Sequence, residues 1–290
     1  AQNNDNQPLS VETFYVYHDT VDDLPSNDTI LKAAAEFNTL VMESVEPNMQ
    51  FNATDNIILN GSPSERLLLA LEHDARHNPR AKILSLLAQT GIRSVVVEPP
   101  AESKLWTLRR KRLLQTEAAT NQVIASGISK KTVDAYTKAR RLYIKDAMAP
   151  RDDVATEGIL NLLDQSERVL SFWGSAHMSI ALALDREGIS QRVEVPLYQV
   201  LDIEPSAQIV DEFRNGGDVQ PERLIPWLVV ELAACALQRG VGVHSNSSGR
   251  VTELNGMVID RTVSMPFEQV DTYLNSAGES LKKGSTLIIP

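Results

Sequence analysis

Short apolar runs alternate with amphipathic stretches along this chain, and that alternation sets the expected fold. VETFYVYH (11–18) has the β-branched and aromatic content of a strand. Pro25 and Ser26 interrupt it, TILKAAAEFN (29–38) has helical periodicity, and TLVMESV (39–45) reads as a second strand. A second β-α-β unit follows. DNIILNG (55–61) is an apolar strand stopped by Gly61. Residues 64–91 are helical, with a break at Asn78-Pro79 and an end at Gly91. IRSVVVEPP (92–100) is the kind of continuous apolar strand that helices cover on both faces, and Glu98 sits at its end.

Residues 101–148 are helical and polar, with a turn at Gly127. A helix near 151–165, a strand over 168–173, a helix over 178–188 and a strand over 191–195 come next. Beyond Pro205 the pattern loosens into helices near 207–214, 226–238 and 267–281, a polar loop over 240–250, and a final short strand, TLIIP. The alternation predicts an α/β fold: a largely parallel sheet flanked by helices. It is expected as one domain over 1–290, with an inserted helical arm at about 101–148 and a candidate C-terminal subdomain over 206–290.

Composition changes this picture little: 42% hydrophobic and 23% charged residues are ordinary for a globular chain. No apolar run reaches the ~18 residues of a membrane-spanning helix. A net charge of -10 argues against nucleic acid as a partner. Cys235, the single cysteine, excludes internal disulfides and multi-cysteine metal sites, and its context suits a buried helix position. The opening AQNNDNQPL resembles what signal-peptide removal leaves, so an exported, periplasmic or secreted location is expected. Asn27, Asn52 and Asn246 head short glycosylation-type triplets, a pattern that chance produces often.

Charge is unevenly placed. Lys104 to Lys145 holds eleven Lys and Arg against Glu117 and Asp134, a local +9 that leaves -19 for the rest. The arm reads either as a solvated helical face or as a docking surface for an acidic partner or anionic ligand.

The candidate chemistry concentrates between Arg140 and Val195. The strand VLSFW ends in Gly174-Ser175-Ala176-His177, and a helix opens directly afterwards. Open α/β sheets place ligands at such carboxyl edges. A neutral imidazole there can act as a base or bind a metal. Gly174 permits close backbone approach, and free N–H groups at the helix start favour an anion, which makes Gly174 and Ser175 candidate substrate contacts. Arg151 and Asp152 follow Pro150 at another helix start. The aspartates suit that positive end, whereas Arg151 does not, so Arg151 is the better functional candidate.

Glu98 and Glu43 each end an apolar strand, where a carboxylate must be exposed or paired. His18-Asp19 closes the first strand and offers a second imidazole. His73 and His77 lie four apart, as in a metal-binding helix, but Asp74 replaces the glutamate of the zincin pattern and the flanks are charged. Gly61-Ser62-Pro63-Ser64 lacks the nucleophile-elbow pattern, and no P-loop or dinucleotide fingerprint occurs.

The stretch RDDVATEGILNLLDQSERVLSFWGSAHM resembles the second half of the TraB/PrgY–Tiki–ChaN–erythromycin esterase-like group over about residues 150–195. That resemblance implies an α/β fold of two related halves, with Arg151 and His177 as site residues, an earlier GxxH strand end and a glutamate closing the next strand. Some members are metal-dependent proteases or esterases, one branch binds haem-iron, and others have no assigned activity. If 55–61 is the first strand, Ser64 stands where histidine belongs and Glu98 is the glutamate. If 11–18 is, His18 is present, Tyr15 replaces the glycine and Glu43 is the glutamate. The helix-then-VVVE layout favours the former, in which one metal ligand is missing.

The leading expectation is therefore a metal-dependent peptidase or esterase-like hydrolase acting on a small molecule or peptide. His177, Glu98 and Arg151 are its catalytic candidates. Arg151, Gly174 and Ser175 are its substrate contacts, and His177, Glu98, His18 and Glu43 are the ligands of a divalent metal. The rival is a catalytically degenerate binding protein that uses the 104–145 arm to hold an anionic partner.

Overall fold

The computed structural model describes residues 9–16, 24–43, 65–76, 78–88, 90–100, 102–127, 129–194, 208–225 and 227–228. The expected strand at 55–61, Gly61 to Ser64, His18, His77, Cys235 and the elements expected beyond 228 lie outside the described residues. The chain is α/β, and it divides into two compact units: 1–106 with 151–197, and 107–150 with 198–290.

The first unit is built on five parallel strands in the order β3-β2-β4-β1-β5. These are β1 (Val11–Val16), β2 (Thr39–Met42), β3 (Arg93–Val95), β4 (Val169–Gly174) and β5 (Gln191–Glu194). β1 runs beside β4 from Val11↔Val169 to Val16↔Gly174, and β2 flanks β4 on the other side, with Met42 opposite Phe172.

Side chains alternate between the faces, as strand geometry demands. Phe14, Leu40, Leu170 and Phe172 meet α1 (Asn27–Glu36), α2 (Glu65–Asp74) and α3 (Pro79–Leu87) on one face. Val11, Tyr15, Val41 and Trp173 meet α6 (Ala149–Asp164) and α7 (Ser179–Arg186) on the other. Local chemistry sets the helix boundaries. The Ser26 side chain caps α1, and Asn78 caps α3 with Pro79 in its first turn. Gly91 takes the left-handed conformation, φ 74°, shortly after α3 ends.

The second unit contains the rest of α4 (Lys104–Ser126), α5 (Lys130–Tyr143), a π-helical stretch over Ile144–Met148, a helix over 208–214 and a 3-10 turn over Pro221–Leu224. Gly127, at φ 85°, separates α4 from α5, which a reciprocal Ser129–Thr132 cap opens. Tyr143, Ile144, Met148, Val210, Phe213 and Leu224 form this unit's described core. Part of the basic surface is already engaged: Arg112 pairs with Asp146, Arg141 with Asp218, and Arg140 lies over Tyr143 and Trp227. No helix among the described residues is long and apolar enough to cross a membrane.

Candidate functional site

All five strands run parallel, so their carboxyl ends share one edge, and β3, β2 and β4 are neighbours there. The first residue after β2 is Glu43, and the 3-10 turn after β4 carries His177. Helix α6 leads into β4 through a short connection and runs back against it. Its first turn, with Arg151 and Asp152, therefore reaches the same edge.

Glu98 arrives differently from expected. The strand over 92–100 is only Arg93–Val95, and Glu98 lies three residues past it. β3 has a single described neighbour, β2, and their ladder ends at Val41↔Val95, one residue before β2 ends at Met42. Val96 is 56% exposed, not covered on both faces.

These groups converge. Arg151 Nη1 lies 3.0 Å from Glu43 Oε1 and 3.1 Å from His177 Nε2. Its other arm, Nη2, donates to Glu98 Oε1 at 2.5 Å. His177 Nε2 is 3.1 Å from the same Glu43 oxygen. On the far side of the ring, His177 Nδ1 donates to Asp152 Oδ1 at 2.5 Å, and the Ser179 hydroxyl donates to Asp152 Oδ2. Glu43 Oε2 accepts from the Gly174 backbone N–H at 2.7 Å. The strand end is fixed as well, because Glu43 N donates to Phe172 O at 2.9 Å. Trp106 lies under the guanidinium at 5.1 Å, and its indole N–H donates to Pro99 O. Trp173 tilts against the imidazole at 5.8 Å.

All the charged members are buried: Arg151 is 3% exposed, His177 5%, Glu98 6%, Glu43 8% and Asp152 0%. Burial alone would drive protons off His177, but Glu43 and Asp152 outweigh it and push the imidazole up to about 10. The ring is thus held protonated at neutral pH, with Nδ1 against Asp152 and Nε2 against both Glu43 and Arg151. Burial raises the Glu98 carboxyl, and Arg151 pulls it back only in part. Arg151 resists deprotonation more than usual, since Glu43 and Glu98 overcome the opposing effect of burial. Burial, reinforced by Asp152, raises the Tyr15 phenol, whose hydroxyl approaches His177 O at 3.4 Å.

The residues expected from sequence fall into two groups. His177, Arg151, Glu98 and Glu43 come together, and Gly174 joins them through its N–H, as a contact to Glu43. His18 lies outside the described residues. His73 stands apart on α2, its side chain 77% exposed.

The family resemblance implies a divalent ion, and the residues as arranged do not suit one. The Glu43 oxygen and His177 nitrogen that would ligate it are turned onto Arg151 Nη1 and onto each other. Among the described residues no group of three or more His, Cys, Asp or Glu is placed to hold a metal.

Asp152 and Ser179 are the members that sequence reasoning missed. An aspartate in a helix's first turn has an ordinary explanation, and nothing local marks Ser179 as its partner. No family model, curated protein or solved structure matches this chain.

Proposed function

We propose that this chain is a hydrolase of ester or amide bonds, as in the Tiki/TraB-like group it resembles, working by acid–base chemistry at Glu43 and His177. The contact of Glu43 Oε1 with both His177 Nε2 and Arg151 Nη1 carries the reading. Glu43 takes a proton from water as its oxygen attacks the carbonyl carbon. Arg151 polarises the carbonyl, and the His177 imidazolium gives its Nε2 proton to the leaving oxygen or nitrogen as the old bond breaks. The direct Glu43–His177 contact then returns the proton from carboxyl to imidazole, restoring both groups. Asp152 touches no reacting atom in this scheme. It fixes the ring so that Nε2 faces Glu43.

The test is turnover of a panel of fluorogenic esters and peptides by the wild-type chain, Glu43→Gln and His177→Gln. Wild-type turnover should fall by about 10²–10⁴-fold in each variant. Equal rates in all three, or no turnover of any substrate by the wild type, overturns the hydrolase.

A second reading, a binding protein on this scaffold, is favoured by the closed packing of the site, whose charged groups are buried and engage one another. In that case Arg110 and Lys111, both exposed on α4, would hold an acidic partner. Arg110→Glu with Lys111→Glu should release immobilised polyglutamate. Undiminished capture removes this reading.

A further inference from the structure

We infer that the exposed face of α4 is a contact between two copies of this chain, packed antiparallel, with Arg110 of each copy against the partner's Glu117. The inference stands apart from both readings of function. It needs neither turnover nor a foreign partner, and it does not involve Glu43, Arg151 or His177.

Within its own unit α4 already has a buried face, made by Thr116, Ala119, Thr120 and Val123. On the opposite side Thr107, Lys111, Leu114, Ala118, Asn121 and Ala125 are all exposed, Leu114 to 56%. Their spacing, four residues and then three, keeps them on one line along a helix and is the seam of a two-helix coil. A groove of about 490 Å³ opens on this line, lined by Thr107, Lys111, Leu114 and Ala118 with Arg110 and Gln115 beside them. Arg110 and Glu117 are both exposed, and seven residues of helix put them on the same flank of the seam. Among the described residues neither is in an ion pair, whereas the neighbouring Arg112 is bound to Asp146.

Charge selects the direction and the register. In a parallel pair Lys111 would meet the partner's Lys111, and Arg110 and Glu117 would face only the partner's Gln115 and the partner's Gln122. In an antiparallel pair with Thr107 opposite the partner's Ala118, Leu114 lies on the aliphatic stem of the partner's Lys111, whose ammonium reaches water. Each Arg110 then meets the partner's Glu117, and the twofold axis makes that ion pair twice. Sliding the copies by one heptad sets Glu117 against the partner's Glu117 in one direction and Arg110 against the partner's Arg110 in the other, and like charges oppose both. A lysine in the seam lowers the stability of the pair, so the dimer is a reversible one.

Sedimentation equilibrium over a concentration series tests this with wild type, Arg110→Glu, Glu117→Arg and Leu114→Ser, all changes at exposed positions. The wild type should approach twice the mass of one chain as concentration rises, and fall back at high ionic strength. Each charge reversal sets like charges together at both ends of the contact and should raise the Kd of the dimer by about tenfold. Leu114→Ser should weaken it as well. An equimolar mixture of Arg110→Glu and Glu117→Arg places an acid against a base at both ends and should associate within about threefold of wild type, which only a contact between copies can produce. A wild type that keeps the mass of one chain at every concentration overturns the inference. So does a dimer that the single reversals leave unchanged, or a mixture that associates no better than its components.

Discussion

Alkali should loosen this protein through one imidazole. His177 titrates at 6.5 in an unfolded chain and at about 10 in the folded one. Between those values the folded state keeps a proton that the unfolded state has released. The stability due to His177 is therefore complete below about pH 6.5 and is lost as the pH climbs to 10. At about 1.4 kcal/mol per pH unit, that interval is worth roughly 5 kcal/mol, a large share of the ~5–15 kcal/mol of a typical domain. Glu98 acts with the same sign in a lower range. Its raised carboxyl also binds a proton more tightly when folded, so its contribution falls as pH rises above the ordinary carboxyl value.

The assay is urea unfolding at half-unit steps from pH 6 to pH 10, for wild type and His177→Gln. Subtracting the two curves removes the lysine and tyrosine titrations they share. The difference should be largest near pH 6 and shrink by several kcal/mol towards pH 10, with a slope approaching 1.4 kcal/mol per pH unit. Parallel curves would refute the reasoning, because they would mean that the imidazole gains no proton affinity from Glu43 and Asp152.

Ser179→Ala removes a buried hydrogen bond to Asp152 and should cost about 1.5–3 kcal/mol in a denaturant melt; a loss near zero would mean that Asp152 is held without it. Gly158 lies in α6, where an added Cβ would sit 2.6 Å from Val97 Cβ, one residue before Glu98. Gly158→Ala should therefore destabilise by about 1–3 kcal/mol of overpacking, against the ~1 kcal/mol that alanine gains in a helix, and a more stable variant would contradict the close approach. Ser166 adopts φ 63° after α6, so Ser166→Gly should raise stability by up to about 1 kcal/mol, and a lowered melting temperature would count against the left-handed turn.

The sheet was legible because its cues are local. TLVMESV and the run over 168–173 are short apolar runs between turn signals; the first begins where β2 begins, and the second matches β4 within a residue at each end. The helix breaks at Asn78-Pro79 and Gly127 were legible for the same reason: proline and glycine act on their own backbone. The length of β3 was not. SVVVE is as apolar as any strand here, but its pairing with β2 ends at Val95 and Val96 turns outward, which depends on the partner strand and not on the local apolar pattern. That both Glu43 and Glu98 reach the site was not legible either. The sequence posed them as alternatives in two registers, whereas neighbouring strands bring both to Arg151.

Adjacent positions in α6 then settle what the site demands of the chain. Arg151 meets the Nε2 side of the imidazole and Asp152 the Nδ1 side, so two consecutive residues bracket one ring. In an extended strand, consecutive side chains point to opposite faces. On a helix they diverge by about 100°, which lets one go to each side of a ring placed between them. Arg-Asp must therefore sit in regular helix, close to its start, where the turn faces the strand edge. Arg151 is tolerated at the positive end of α6 because Glu43 and Glu98, both brought by the sheet, meet its charge. The mismatch that made Arg151 conspicuous in sequence is thus a property of the helix alone, and the strands remove it.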